Sequence, residues 1–158
     1  MSTRAACEVR REPLLSPAAT ELIAATNAEL SQRYPEAGAC HFRLDPHEVS
    51  DGRGAFFVAY LDEVHVGCGA VRKLDDMTAE LKRMYVRPTH RGRGVGGAIL
   101  GALEAEARKL GMKRVVLETG VRQHEALAMY RRAGYAQIEP YAAEYFDSPL
   151  SVCMEKKL

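Results

Sequence analysis

Residues 80–100, ELKRMYVRPTHRGRGVGGAIL, decide the expected fold of this chain. Their first part, through Val86, has the alternation of a β-strand, and a run of glycines follows Pro88. After the glycines, apolar residues recur at helical spacing until Gly111, which predicts the end of the helix. KRVVLETG, residues 113–120, has the continuous apolar character of a buried strand. The stretch therefore predicts a β-α-β unit.

Toward the N-terminus, the pattern predicts a first strand over residues 3–11. Ser16 followed by Pro17 predicts the start of a helix that runs to about Arg33, because serine caps helices and proline is favoured in the first turn. Residues 36–54 lack periodicity and are expected to form a long irregular connection. A loop of that length in a small domain often belongs to a functional site.

Further strands are predicted on both sides of the β-α-β unit. AFFVAYL and HVGCGAVRKL, separated by Asp62 and Glu63, predict a hairpin. EALAMYRRAG predicts a short helix that ends at Gly134, and YAQIEP and LSVCMEKKL predict two last strands. With no internal repeat or composition boundary, we expect an α/β fold in a single domain over residues 1–158.

The bulk composition excludes several functional classes. The 158 residues are 47% hydrophobic, and the formal net charge of +1 gives no basic field that would attract nucleic acid or anionic membranes. The start of the chain lacks a signal-peptide pattern, no segment is long enough to span a bilayer, and the four cysteines have no paired spacing. We therefore expect a cytoplasmic protein with neither nucleic acid nor membrane as partner. The five histidines have no metal-ligand spacing, which predicts no metal site.

The glycine run predicts a site for phosphate, because glycine lets the backbone approach a ligand and the following helix offers free N–H groups. Two cofactors fit this pattern. Gly92, Gly94 and Gly97 satisfy the G-x-G-x-x-G fingerprint of nicotinamide dinucleotide sites, with Glu118 about twenty residues beyond.

Coenzyme A is the better interpretation. Five residues separate Val86 from Gly92, whereas a dinucleotide-binding turn follows its strand almost at once. Fewer than fifty residues remain after Gly111, too few for a doubly wound sheet. Arg91 and Arg93 flank the glycines and suit a ligand with several phosphates.

These residues resemble the strand, loop and helix of the GNAT superfamily of acyl-CoA N-acyltransferases, and especially its stand-alone bacterial members. The loop pattern of that family is Gln or Arg, two residues, Gly, any residue, and Gly or Ala, which Arg91, Gly94 and Gly96 match. A second family motif is similar to QHEALAMYRRAGY, with Gln123 where asparagine is commoner and Tyr130 at the family's tyrosine position. The resemblance implies a mixed, mostly antiparallel sheet flanked by helices.

The resemblance also implies acetyl-CoA as the cofactor and a set of binding residues. The backbone of the strand before the loop is expected to meet the pantetheine arm, and the loop to hold the pyrophosphate. The residues implied are Met84, Tyr85, Val86, Arg91, Gly92, Arg93, Gly94, Val95, Gly96, Gly97, Gln123, Ala126 and Tyr130.

Acetyl transfer to an amine needs a proton donor for the departing thiolate and a proton acceptor for the amine. By spacing alone Tyr130 suits simple packing better, whereas the resemblance places it at the family position for the donor. Glu80 and Glu118 are the candidate bases, with Glu80 preferred because it precedes the cofactor loop; either could instead be an ion-paired strand residue. Arg83 is a candidate for binding a substrate carboxylate, and Tyr145 for lining the acceptor pocket.

The sequence therefore predicts direct transfer of acetyl from acetyl-CoA to the amine of a small molecule or amino acid. Two alternatives remain open: an acetyltransferase that acts on a protein amine, and a non-catalytic sensor of acyl-CoA. Because members of the family often dimerise, the resemblance also allows a homodimer.

Overall fold

The computed structural model of the chain describes residues 6–36 and 44–158. The start of the predicted first strand, before residue 6, and the part of the predicted loop that contains Cys40 and His41 lie outside these ranges. The strands are β1 Glu8–Arg11, β2 Gly54–Leu61, β3 Val64–Lys73, β4 Thr78–Val86, β5 Arg114–Gly120, β6 Ala136–Ile138 and β7 Ser151–Lys157; the helices are α1 Pro17–Arg33, α2 Val95–Lys109 and α3 His124–Arg132. Short 3-10 helices lie at Pro46–Val49, Pro88–His90 and Ala143–Tyr145.

Local sequence determines the helix ends as predicted. The Ser16 side chain accepts a hydrogen bond from the backbone of Ala19 at 3.1 Å, and Pro17 opens α1. Gly94, with φ of 82°, caps the start of α2, and Gly111, also with φ of 82°, follows its end. Both glycines occupy a left-handed backbone region that is costly for other residues.

Within the described residues, seven strands form one sheet in the order β1-β2-β3-β4-β5-β7-β6. β4 and β5 are parallel and are joined through α2, whereas the other neighbouring strands are antiparallel. The predicted mixed, mostly antiparallel sheet and its β-α-β unit are thus confirmed. The hairpin of β2 and β3 turns at Asp62 and Glu63, both with positive φ, as the sequence indicates.

Apolar side chains cover both faces of the sheet. On one face, Ile99 and Leu103 of α2 are fully buried in a cluster that includes Tyr130 and Tyr135. On the other, Leu22 of α1 is fully buried in a second cluster with Phe56. The two faces are therefore distinct environments, one under α2 and α3 and the other under α1.

The sheet opens between its two parallel strands. Pairing of β4 with β5 covers only Thr78–Leu81 against Arg114–Leu117, yet both strands continue beyond these residues. Opposite β3, the register of β4 shifts between its partners Cys68 and Ala70, and Arg83 in β4 has φ of 59°. An extra residue of this kind bends a strand and increases its twist. The bulge at Arg83 thus accompanies the divergence of β4 from β5.

Candidate active site

A cavity of about 450 Å³ lies where β4 and β5 diverge. Its walls come from the second half of β4, the end of β5, the start of α3, the C-terminal half of α1 and residues 143–151. We call this cavity the cleft. The charged side chains on its walls are Lys82, Arg83, Glu118, Glu144 and Asp147.

The bulge in β4 distributes its side chains between the two faces of the sheet. Met84 packs with the cluster under α2, and Tyr85 packs with the cluster under α1. Arg83 also turns toward α1, where its Nη1 donates a hydrogen bond to Oδ1 of Asn27 at 2.7 Å. The β4 wall of the cleft therefore presents the half-buried side chains of Lys82 and Arg83 next to each other.

Glu118 is the first residue of β5 beyond the last pair with β4, so it stands where the cleft begins. Burial raises the pKa of its carboxyl above the ordinary value, and the negative charges of Glu80 and Glu144 act in the same direction. Ser151 and Lys82 oppose that rise. A carboxylate in a partly desolvated cleft is a good proton acceptor.

Tyr130 reaches the cleft from α3. It is 4% exposed, and its ring meets the ring of Tyr135 edge to face at a centroid distance of 5.6 Å. Burial raises the pKa of Tyr130 well above its usual value, with a further contribution from the charge of Glu118. The hydroxyl therefore keeps its proton throughout the neutral range. Tyr130 thus both packs in the core and lines the cleft, and its role as proton donor stays a prediction.

Glu80 does not line the cleft, although the Nζ of Lys82, which does, lies 3.9 Å from its Oε1. Its side chain is 2% exposed and is bound by Arg72, whose Nη2 lies 2.8 Å from Oε1. The hydroxyl of Tyr141 donates to its Oε2 at 2.6 Å, and Arg72 also contacts Glu48. Both carboxylate oxygens are thus engaged in a buried network. This arrangement favours Glu118 over Glu80 as a base, in contrast to the order of preference from the sequence.

The glycine loop leaves open space at the start of α2. Gly92 and Gly94 have φ of 77° and 82°, and a Cβ at either residue would meet no atom within 4 Å. Gly97, in the first turn of α2, is equally open. A Cβ at Gly96, in contrast, would lie 2.6 Å from the Met129 sulfur, so this glycine permits contact between α2 and α3. The open glycines and the free N–H groups of the helix start fit a phosphate group.

Arg91 has protein partners on α1 and β4. Its Nη2 lies 2.8 and 2.9 Å from the two carboxylate oxygens of Glu29, and its Nε donates to the carbonyl of Val86 at 2.9 Å. The Nη2 of Arg33 lies 3.5 Å from Oε1 of Glu29, and its Nη1 donates to the amide oxygen of Gln123 at 2.7 Å. This network joins α1, the glycine loop and the start of α3.

The structure brings together only part of the cofactor set predicted from the sequence. Met84, Gln123, Ala126 and Tyr130 line the cleft. Arg93 is exposed in the loop beside the glycines, whereas the side chains of Tyr85 and Val95 are buried in the core. The two predicted substrate residues, Arg83 and Tyr145, both line the cleft.

Tyr34 is a cleft residue that the sequence did not identify. It ends α1, and its hydroxyl accepts a hydrogen bond from the backbone of Arg122 at 2.8 Å. A Cβ on Gly120 would lie 1.9 Å from that hydroxyl, so the end of β5 needs glycine for Tyr34 to dock. The contact joins residues far apart in the chain, and no local pattern indicates it.

Over residues 6–36 and 44–158, no group of three or more His, Cys, Asp or Glu side chains is arranged to hold a metal ion. Within the same ranges, no helix has both the length and the apolar character needed to cross a membrane.

Comparison with known proteins identifies this arrangement. Residues 21–135 match the Acetyltransferase (GNAT) family. The IAA acetyltransferase of Azospirillum brasilense is 38% identical over 151 residues, which cover 95% of this chain and 97% of that protein.

Solved structures of acetyltransferases have the same fold as this chain. A protein assigned to the acyl-CoA N-acyltransferases from Klebsiella pneumoniae has a TM-score of 0.80 at 33% identity, covering 96% of this chain and 97% of that one. A GNAT family acetyltransferase from Elizabethkingia anophelis with acetyl-CoA bound shares the fold, with a TM-score of 0.67 at 17% identity over 96% and 98% of the two chains. By sequence and by fold, this chain belongs to the acetyltransferase (GNAT) family of acyl-CoA N-acyltransferases, which use acetyl-CoA.

Proposed function

We propose that this enzyme transfers acetyl from acetyl-CoA directly to the primary amine of a small molecule bound in the cleft. The observation that carries the proposal is that Glu118 and Tyr130 line one cleft from two different elements, between the diverging ends of β4 and β5. A proton acceptor and a proton donor are thus available at the same opening in the sheet.

In this proposal Glu118 is the general base. Most amines are protonated near neutral pH, so a proton must leave the nitrogen before or during attack. The raised pKa of Glu118 brings its carboxylate closer to the basicity of an amine. Glu80, held by Arg72 and Tyr141, supports the framework instead.

Tyr130 is the proposed proton donor. Because burial keeps its hydroxyl protonated, Tyr130 offers a hydrogen to the sulfur atom as the thioester breaks. An ammonium substrate loses two protons in all: one passes to solvent before attack, and Glu118 takes the second as the C–N bond forms. The C–S bond breaks, Tyr130 gives its proton to sulfur, and Tyr130 then regains a proton from Glu118 through solvent. No covalent enzyme intermediate is needed.

The residues that would hold acetyl-CoA are the glycine loop and the open edge of β4. Gly92, Gly94 and Gly97 provide space beside the start of α2 for the pyrophosphate. Beyond Leu81 the edge of β4 is not paired with β5, so backbone groups near Met84 are available to the pantetheine arm. When bound, acetyl-CoA supplies the activated acetyl group.

The size of the cleft supports a small acceptor over a protein amine. Tyr34, which docks against Gly120, lines the cleft together with Tyr145 and Ser148. The volume of about 450 Å³ suits a metabolite of modest size.

Release of free thiol from acetyl-CoA, measured across a panel of primary amines, tests this function. We expect amine-dependent thiol release and, by mass spectrometry, an acetylated amine. Binding of acetyl-CoA without amine-dependent thiol release would contradict the proposal and favour a sensor. Transfer to lysine-containing proteins but to none of the small amines would instead assign a protein acceptor.

A further inference from the structure

The positive and the negative residues that line the cleft lie on different structural elements. Lys82 and Arg83 lie on the β4 wall, whereas Glu118 lies on β5 and Glu144 and Asp147 lie on the segment that precedes β7. One wall is therefore positive and the other negative. A simple alkylamine carries one positive charge, so a cleft that binds it needs only negative residues.

Arg83 is positioned by an unusual backbone conformation. Its φ of 59° lies in the left-handed region, which non-glycine residues seldom occupy and which is concentrated at functional sites. The bulge places Arg83 next to Lys82, and the hydrogen bond to Asn27 orients its guanidinium toward α1. Although burial lowers the pKa of Arg83, an arginine remains protonated at neutral pH.

The segment that carries Glu144 and Asp147 is held in place by contacts with Tyr141 and Glu80. Tyr141 donates its hydroxyl proton to the buried Glu80 at 2.6 Å, and its ring packs edge to face with Tyr145 at 5.5 Å between centroids. Tyr145 in turn lies beside Glu144 in the same 3-10 helix. The buried network around Glu80 thus connects this wall to β4, where the Nζ of Lys82 also lies 3.9 Å from the Oε1 of Glu80.

We propose that the acceptor is an amine that also carries a carboxylate, as an amino acid does. Its ammonium group faces Glu118, and its carboxylate faces the positive charge of the Arg83 guanidinium, which Asn27 helps to orient. Lys82 adds a second positive charge on the same wall. This inference rests on the proposed function and narrows its substrate class.

The test compares amino acids with the amines that remain when their carboxylate is removed, such as leucine with 3-methylbutylamine and phenylalanine with phenethylamine. The readout is kcat/KM for thiol release by the wild-type enzyme, Arg83→Gln, Arg83→Lys and the control Arg53→Gln. Arg53 is exposed and outside the cleft. The ratio within each pair is compared between enzymes, so the different basicity of the two amines cancels.

We expect at least one amino acid to be used about tenfold better than its decarboxylated partner. Arg83→Gln should reduce that ratio by roughly 10- to 100-fold, the effect of losing a charged hydrogen bond. Arg83→Lys should recover part of it, and Arg53→Gln should keep it.

Decarboxylated amines that match or exceed every amino acid would overturn the inference, as would an equal loss on both members of a pair in Arg83→Gln. If Arg83→Gln does not fold, as judged by circular dichroism, free acids compared with their methyl esters on the wild-type enzyme decide the question. Absence of thiol release with every amine would instead remove the proposed function itself, so the two failures are distinguishable.

Discussion

Glu118 and Glu80 show how position within one sheet separates two similar residues. Glu80 lies inside the paired part of β4, opposite Val116. Its carboxylate is ion-paired with Arg72 and accepts a hydrogen bond from Tyr141. Glu118 lies one residue beyond the last pair and faces the cleft. A shift of a few residues relative to the point of divergence thus separates a framework residue from a candidate base.

Glu118→Gln should lower kcat by at least about 100-fold, the usual contribution of general base catalysis. In the wild-type enzyme, kcat/KM should rise with pH through the raised pKa of Glu118, above its ordinary value of 4.5. Steady-state rates from pH 5 to 9, over a range of amine concentrations that gives kcat/KM at each pH, provide the measurement. Full activity of the glutamine variant would exclude Glu118 as the base.

Glu118→Gln should lower activity but should not lower the thermal stability of the protein. Because the folded state raises the pKa of Glu118, the contribution of this group to stability is complete below the unfolded pKa and is lost as pH rises through the folded pKa. Glu118→Gln should therefore melt no lower than the wild type at pH 8, and any advantage should vanish toward pH 4. Differential scanning calorimetry at both values checks this, and a lower Tm of the variant at pH 8 would contradict it.

Tyr130→Phe should lower kcat by about 10- to 100-fold while changing the Kd of coenzyme A by less than threefold. The ring remains to pack against Tyr135, so the fold should persist. Rapid-quench kinetics and calorimetric titration separate the two quantities. Unchanged turnover would leave Tyr130 as a packing residue alone.

Glu80→Ala should destabilise the fold by about 2–3 kcal/mol, because it leaves the half-buried Arg72 with only Glu48 and removes the partner of Tyr141. Urea unfolding measures this. A base at Glu80 would predict a different outcome, a loss of turnover with little change in stability.

At the scale of elements, the sequence predicts what is local and misses what depends on the third dimension. The cap at Ser16, the end of α2 and the glycine loop follow from residue chemistry within a few positions, and they are found as predicted. The choice between Glu80 and Glu118 depends on where β4 and β5 stop pairing, which neither strand encodes by itself. The docking of Tyr34 on Gly120 likewise joins two elements that only the folded sheet brings together.

Helix α2 contains a matched pair of glycines. Gly97 and Gly101 lie one turn apart, and a Cβ at either would meet nothing within 4 Å. Valine is no worse than glycine in a helix, so Gly97→Val and Gly101→Val should both fold.

Only Gly97→Val places its side chain at the helix start, where the pyrophosphate would sit. It should raise the Kd of coenzyme A about tenfold or more, a loss of about 1.4 kcal/mol. Isothermal titration of both variants checks the assignment. Equal affinities would place the pyrophosphate elsewhere.

At the scale of the whole molecule, the sheet consists of two halves, β1 to β4 and β5 to β7, joined along four residue pairs of β4 and β5. A ligand that binds only the folded protein raises its free energy of unfolding, and the gain grows with the logarithm of the ligand concentration divided by Kd. Coenzyme A at a hundred times its Kd should therefore add about 2.7 kcal/mol, which corresponds to a rise in Tm of about 5–10 °C.

Thermal unfolding with coenzyme A and with NAD at equal concentrations measures this effect. NAD should leave Tm unchanged, because the cleft lies between diverging strands and not at a doubly wound sheet. A larger shift with NAD would revive the dinucleotide interpretation of the glycine run.

The short junction between the half-sheets places the two proposed reacting partners on different strands. Pairing of Thr78–Leu81 with Arg114–Leu117 stops where the cleft begins, and contacts such as Tyr34 against Gly120 and Tyr141 with Glu80 connect the two halves elsewhere. The proposed base is carried by β5, and the strand edge proposed for the acyl donor is carried by β4. The distance between the proposed base and the acyl donor is therefore set by how widely β4 and β5 diverge beyond their last pair, so the bulge at Arg83 contributes to the spacing of the reacting groups without touching either of them.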